Sequence, residues 1–255
     1  MSRRVRMRAV AGGALVGAVV LAVSGCGASA GKDRHPEHRS FAVRGHTLTV
    51  DSDDSGLEIV GGRGEGRDVA VTRWFDGSVL VGGKPKVSWA FKDDRLVLRM
   101  HCSGLVADCS ARYRVEVPAG IGVRVVDGNG DVRARGFADP LAVRTSNGGV
   151  RITDTTGPLD LSSGNGPVHA EVASTRVRAR VDNGSVDLRL SRIPDSVDTG
   201  SDNGDLTIVL PRAGYRVKAT SHNGGVHVSV PRDPAGAHRV TAGSANGKVT
   251  VRTAN

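Results

Sequence analysis

Along the second half of the chain, apolar and polar positions alternate in short paired runs that recur at a nearly fixed interval. Each pair is centred on an Asn-Gly dipeptide. The asparagines are Asn129, Asn147, Asn165, Asn183, Asn203, Asn223 and Asn246, at spacings of 18, 18, 18, 20, 20 and 23 residues. Six positions before them stand Val123, Leu141, Leu159, Val177, Val197, Val217 and Val240, and four before stand Val125, Val143, Leu161, Ala179, Thr199, Ala219 and Ala242. Three positions after come Val132, Val150, Val168, Val186, Leu206, Val226 and Val249, and five after come Ala134, Ile152, Ala170, Leu188, Ile208, Val228 and Val251. Polar residues fill the gaps, such as Arg124, Asp160, Arg178 and Asp198 in the first run and Arg133, Arg151, His169 and Asp187 in the second. Alternation with period two predicts strands with one buried and one wet face. Asn-Gly is a strong turn signal because both residues tolerate positive φ. Each unit therefore reads as two short strands joined by an Asn-Gly turn.

A sequence period of this kind predicts a repeat architecture, here all-β. Each unit would be one coil of a β-solenoid, with two short strands per coil of about 18 to 20 residues. The alternative is an antiparallel β-sandwich or barrel of hairpins. Core size favours the coil, because from residue 121 onward the only aromatics are Phe137 and Tyr215. A sandwich core about 10 Å thick usually takes bulkier fill. In a solenoid the asparagines would line up along one corner, about 4.8 Å apart, as scaffold and not as ligands.

The repeat extends backward in degenerate form. With Asp54 at the turn, Leu48, Val50, Leu57 and Ile59 fall on the four apolar columns. With Asp93 there, Val87, Trp89, Leu96 and Leu98 do the same. Residues 41–120 are read as these atypical N-terminal β-repeats, and 121–255 as the regular solenoid. Terminal repeats are commonly atypical because they must cap an open core.

The chain begins differently. Arg3, Arg4, Arg6 and Arg8 precede an apolar stretch from Ala9 to Val23, too short for a comfortable span of about 20 residues and suited to a signal peptide. The run Val23-Ser24-Gly25-Cys26 resembles the lipobox of bacterial lipoproteins. That resemblance implies a signal peptide over 1–25 and lipid attachment at Cys26, anchoring the exported chain to the outer face of the cytoplasmic membrane. Residues 26–40 carry Gly, Pro and charge without apolar periodicity and read as a tether. Cys102 and Cys109 remain, seven positions apart; in an exported chain they are expected to form a local disulfide.

Charge changes the picture little. The formal net charge is +9, and the four signal arginines account for part of it, leaving +5. The exposed columns mix signs, and aromatics for base stacking are few, so nucleic acid is not expected as a partner. No G-x-S-x-G, H-E-x-x-H, Walker A or C-x-x-C pattern occurs. The carboxylates Asp160, Asp187 and Asp198 are the raw material for acid–base work. His35 and His38 with Glu37 read as a solvated linker. The stretch 51–56 (DSDDSG) starts like a calcium loop, but Gly62 stands where the bidentate acid belongs. No cofactor or metal is expected.

The lipobox, the stretch 111–136 (ARYRVEVPAGIGVRVVDGNGDVRARG) and the recurring S-x-N-G-x-V units together resemble a bacterial adhesin-type family of unknown function, built on a repetitive β-solenoid called a toast-rack domain. The resemblance covers roughly residues 41–255. It implies an all-β solenoid displayed outside the cell and supplies no catalytic residue. The expectation is a non-enzymatic cell-envelope lipoprotein for adhesion, or for binding an envelope polymer or surface protein. The alternatives are a polysaccharide-active β-helix enzyme and an accessory subunit of a membrane signalling system. Arg133, Arg151, Arg178 and Arg180 are the candidate contacts to an anionic polymer.

Overall fold

The computed structural model describes residues 28–79, 81–104 and 107–254. The signal segment and Cys26 lie outside them. Seven strands come first: β1 (Glu37–Ala42), β2 (Thr47–Ser52), β3 (Gly56–Gly61), β4 (Asp68–Val79), β5 (Lys86–Lys92), β6 (Arg95–His101) and β7 (Ala107–Val117). Seven pairs follow, each flanking one asparagine: β8 (Gly122–Asp127) and β9 (Val132–Arg135), β10 (Leu141–Thr145) and β11 (Val150–Thr153), β12 (Leu159–Asn165) and β13 (Val168–Val172), β14 (Arg176–Asn183) and β15 (Val186–Leu190), β16 (Ser196–Asn203) and β17 (Leu206–Leu210), β18 (Arg216–Asn223) and β19 (Val226–Ser229), and β20 (Arg239–Asn246) and β21 (Val249–Thr253).

The first strand of each pair joins one sheet and the second joins the other. Equivalent strands stack in parallel, in the register that the repeat dictates. Leu141 pairs with Val123 and Leu159, and Val177 with Leu159 and Val197. Parallel pairing excludes the antiparallel sandwich and makes the chain a flattened two-sheet β-solenoid. The apolar columns fill the space between the sheets: Val132, Ile152, Ala170, Leu188 and Ile208 are at most 3% exposed. Val, Leu, Ile and Ala suffice because the gap is narrow.

The coils do not stack in chain order at either end. The Asn246 coil (β20, β21) lies between the Asn203 coil and the Asn223 coil, which is outermost. At the other end the Asp54 coil (β2, β3) is covered by β6 and β7, which come later in the chain. Every coil has the same columns, so any order packs equally well and the periodicity carries no information about it.

Asp54 sits at a coil corner, and Leu48, Val50, Leu57 and Ile59 are all at most 2% exposed. Asp93 does not sit at one. β5 and β6 pair antiparallel, with Trp89 opposite Leu98, and Asp93 and Asp94 form the tight turn with φ of 51° and 55°. Two positive φ values in succession are the signature of a hairpin turn of the I′ kind. Asp94 fixes it further by accepting hydrogen bonds from the Arg44 and Gly45 backbone N–H groups at 2.8 and 2.6 Å. β1 and β4 also run antiparallel on the edge of the other sheet. The N-terminal end is therefore a cap of antiparallel strands. Its apolar interior is aromatic: Phe41 stacks on Phe91 at 5.0 Å, and Trp89 lies 6.4 Å from buried Tyr113. Arg39 and Arg73 close over the Trp89 ring at 4.9 and 4.5 Å.

Candidate functional site

The corner between paired strands carries a continuous hydrogen-bonded ladder. Asn147 Nδ2 donates to Asn129 Oδ1, Asn165 to Asn147, Asn183 to Asn165 and Asn203 to Asn183, at 2.8 to 2.9 Å. Asn246 then donates to Asn203 and Asn223 to Asn246, both at 2.9 Å, which follows the exchanged coil order. At the far end Asn129 donates to Asp54 Oδ1 at 2.5 Å. An ionised carboxylate can only accept. Asp54 therefore fixes the polarity: every amide above it must present Nδ2 toward the cap and Oδ1 away from it.

The dipeptide does not recur for the reason its turn propensity suggests. Among the described residues the non-glycine positions with positive φ are Asp93, Asp94 and Asp154, so none of the seven asparagines adopts it. Asparagine is needed for the ladder. Glycine is needed because the coils touch there: a Cβ on Gly148 would stand 1.9 Å from the Gly130 carbonyl oxygen, and one on Gly204 would stand 2.0 Å from that of Gly184. Close backbone approach selects the second residue, and at Gly166 and Gly184 a φ of 158° adds to the requirement.

A second polar column, unforeseen from the sequence, lies just inside the corner. The hydroxyls of Ser163, Ser201, Ser244 and Ser221 donate to the carbonyls of Gly148, Gly184, Gly204 and Gly247 at 2.7 to 3.0 Å. The signal was present as a polar residue two before most of the asparagines. Asp127 occupies this column in the first regular coil and is 3% exposed. Its Oδ2 accepts from the Gly130 N–H at 2.6 Å and from the Thr145 hydroxyl at 3.5 Å, while its Oδ1 has no partner. Burial pushes this carboxyl up to about 7, against the smaller opposing effect of the Gly130 N–H. The Ser52 hydroxyl lies nearby without a hydrogen bond of normal geometry.

The broad faces hold the candidate binding and acid–base residues, and they divide them. Arg133 (β9) and Arg151 (β11) project from one sheet, whereas Arg178 and Arg180 (both β14) project from the opposite one. The four arginines thus form two sites on opposite faces and cannot jointly hold one straight polymer. Arg133 faces Asp131 at 3.4 Å, and Arg180 binds Asp198 at 2.7 Å. Arg151 and Arg178 are exposed, with no carboxylate within ion-pair distance among the described residues.

Asp187 lies on the face of Arg133, 3.8 Å from His169 and 3.7 Å from Arg189. Asp160 and Asp198 share the other face, but Arg178 stands between them in the strand register. Strand spacing then sets the two carboxylate-bearing backbones about 9.6 Å apart. On that face charge is interleaved and the two carboxylates are not adjacent, whereas on the face of Arg133 His169 Nε2 lies 3.0 Å from Glu171 Oε1 and its Nδ1 3.8 Å from Asp187, with Arg189 beside both carboxylates. An open groove of about 590 Å³ on the face of Asp160 and Asp198 is lined by residues including His46, Arg124, Asp139, Pro140 and Asp160. Asp139 is held there by the Gly120 N–H at 2.7 Å. No group of three or more His, Cys, Asp or Glu side chains that could hold a metal occurs among the described residues.

Cys102 and Cys109 are joined as a disulfide, with Cα atoms 6.2 Å apart. The bridge spans the connection from β6 to β7. The Asn ladder ends one coil earlier, at Asp54, so the covalent link tightens the corner where amide stacking stops. Trp74 and the pair Phe41–Phe91, which the periodicity did not place, belong to the cap: Arg112 lies 4.4 Å over the Trp74 ring.

Comparison with known proteins agrees with this architecture. A family profile described as Toastrack DUF4097 matches residues 116–255. A crystal structure of a candidate adhesin from Bacteroides fragilis superimposes with a TM-score of 0.54 at 14% identity, covering 87% of this chain and 98% of that one. A candidate cell adhesion protein from Clostridium sporogenes gives a TM-score of 0.39 at 15% identity, covering 86% of this chain and all of that one. No curated protein sequence matches.

Proposed function

The chain belongs to the Toastrack DUF4097 family, and on that premise we propose that it is a non-enzymatic, lipid-anchored envelope protein that displays the solenoid to bind a macromolecular partner. The observation that carries this reading is the use to which the polar groups are put. The corner amides and hydroxyls are committed to neighbouring coils, and many charged side chains on the faces are tied to each other, such as Glu58 to Arg114 and Arg135 and Asp198 to Arg180. Such surfaces suit many weak contacts with an extended partner better than turnover of a small substrate. The neighbour from Bacteroides fragilis is named as a candidate adhesin, which is the same class of role.

Anchoring is the first test. The full chain should fractionate with membranes, and Cys26→Ala should release it or leave an uncleaved precursor. Mature-size Cys26→Ala protein retained in membranes would refute the lipid anchor. Reproducible turnover of polysaccharide, peptide or ester by the purified chain would overturn the non-enzymatic reading.

A further inference from the structure

The outermost coil at the C-terminal end of the solenoid is unfinished. Just before β18, Tyr215 is bridged to Arg232, its N–H donating to the Pro231 carbonyl at 3.0 Å and its carbonyl accepting from the Asp233 N–H at 2.9 Å. From Arg216 onward β18 pairs only with β20, and β19 only with β21, so among the described residues each of these strands has one side unpaired. The apolar columns also run out uncovered there. Val249 and Val251 of the adjoining coil are fully buried, yet Val226 in the same column is 46% exposed. Val217, Ala219 and Val228 are only partly buried. Asn223 donates to Asn246, and its own Oδ1 faces outward, where among the described residues no further coil stands to donate to it. An open strand edge with apolar side chains alternating along it is a template for another strand.

Charge selects what can fill it. The segment around this coil carries Arg212, Arg216, Lys218 and Arg232 against the single acid Asp233, with His222 and His227 also exposed. Lysine and arginine on an edge strand oppose pairing with a second copy of the same strand. They favour an acidic one, because complementary charge adds to the main-chain hydrogen bonds.

We infer that the C-terminal end is a strand-acceptor site for an extended, acidic segment of a protein partner. The segment continues the solenoid by adding beside β18. Its alternate small apolar residues cover Val217 and Ala219, and its carboxylates lie beside Arg216 and Lys218. A side-chain or backbone donor at its end completes the ladder at Asn223. This inference rests on the reading that the domain works by binding, and names the place and the chemistry.

The test is calorimetric titration of the full chain in detergent with a synthetic peptide of the length of β18. The peptide carries Val and Ala at alternate positions and Glu between them; a control peptide replaces Glu with Lys. The acidic peptide should bind, with affinity falling as salt rises, and the Lys peptide should not. Lys218→Glu combined with Val226→Lys, both on the surface, should weaken binding about tenfold or more, the scale expected for loss of an interface anchor. Arg63→Ser, an exposed position in the loop after β3 and remote from this end, should leave it unchanged. Equal binding of both peptides, no binding of either, or indifference to the double variant would overturn the site. So would a dimer of the free chain, seen by light scattering and dissolved by Val226→Lys, because a second copy would then be the occupant. If the acidic peptide fails while Cys26-dependent anchoring stands, only the site is lost and the envelope reading survives.

Discussion

The two ends of the solenoid solve the same problem in opposite ways. A stacked coil always exposes the apolar interior of its last member. At the N-terminal end the chain returns with antiparallel strands, seals the core with Trp89, Tyr113, Phe41 and Phe91, and clamps the Trp89 ring with two arginines. At the C-terminal end the last coil presents Val226, Ala219 and two unpaired edges, fringed with basic residues. Coil order is exchanged at both ends, so the first and last coils of the chain lie inside the stack. Burying β20 and β21 protects the C-terminal strands from fraying, whereas β1 stays on the sheet edge. What differs is the outer surface. The N-terminal end is closed by several large side chains and antiparallel edges; at the C-terminal end a single aromatic, Tyr215, is buried against His238 just before β18, and among the described residues no antiparallel strand covers the edge beyond it, which is the surface proposed for pairing.

The largest effect should come from unsealing the closed end. Trp89 is 9% exposed and packs between the β-sheet cap and two guanidinium groups. Trp89→Ala should cost about 3 to 5 kcal/mol, the range for truncating a buried aromatic. The counterpart at the open end, Val226→Ala, should cost less than about 0.5 kcal/mol, because that side chain is already largely in water. Urea unfolding of the two variants measures both. Equal losses would mean that the two ends contribute alike and that the contrast between sealed and open is wrong.

This contrast also marks how far the sequence could be read. The four apolar columns and the parallel stacking were legible because a one-residue slip in a strand would turn every Val to solvent. The joined pair Cys102–Cys109 followed from spacing and export. At Asp93 columns of the right spacing belong instead to a hairpin, turned by Asp93 and Asp94 at positive φ; glycine follows neither Asp93 nor Asp54, so the dipeptide does not separate a hairpin turn from a coil corner. The division of Arg178 and Arg180 from Arg133 and Arg151 was implicit in the repeat, since positions before and after the asparagine belong to different sheets. The stacking order was not legible, because equivalent coils are interchangeable in pattern.

A smaller difference lies in the hydroxyl column that runs toward both ends. At the C-terminal end Ser221 and Ser244 donate to glycine carbonyls. Toward the cap the same column holds Asp127, raised to about 7 by burial from an ordinary 3.8. The folded state therefore holds this proton more tightly than the unfolded chain. Below the unfolded value both states are protonated and no penalty arises. As pH rises from there through about 7, the unfolded chain releases its proton first and stability falls. Asp53, whose charge also raises this carboxyl, adds to the effect. Asp127→Asn should leave stability nearly unchanged at about pH 3 and gain on the order of 2 to 4 kcal/mol by about pH 8. Thermal melts across that range check it; a variant with the wild-type pH slope would place the titrating group elsewhere.

The smallest effects should come from the amide ladder, and they test its direction. Asn165 makes two ladder bonds, donating to Asn147 and accepting from Asn183, whereas Asn223 at the open end makes only one. The ladder is solvent-exposed, so water replaces lost bonds and each contributes about 0.5 to 1 kcal/mol at most. Asn165→Ala should therefore cost about twice what Asn223→Ala costs. Aspartate separates direction from bond number. Asn165→Asp keeps the acceptor for Asn183 but turns a carboxylate oxygen toward the Asn147 acceptor, so it should cost more than Asn165→Ala. Asp54→Asn should be nearly neutral, because an amide oxygen can accept from Asn129 as the carboxylate does. Denaturant midpoints resolve differences of this size. If Asn165→Asp proved milder than Asn165→Ala, the polarity imposed by Asp54 would be wrong, and with it the outward-facing acceptor that Asn223 offers at the open end.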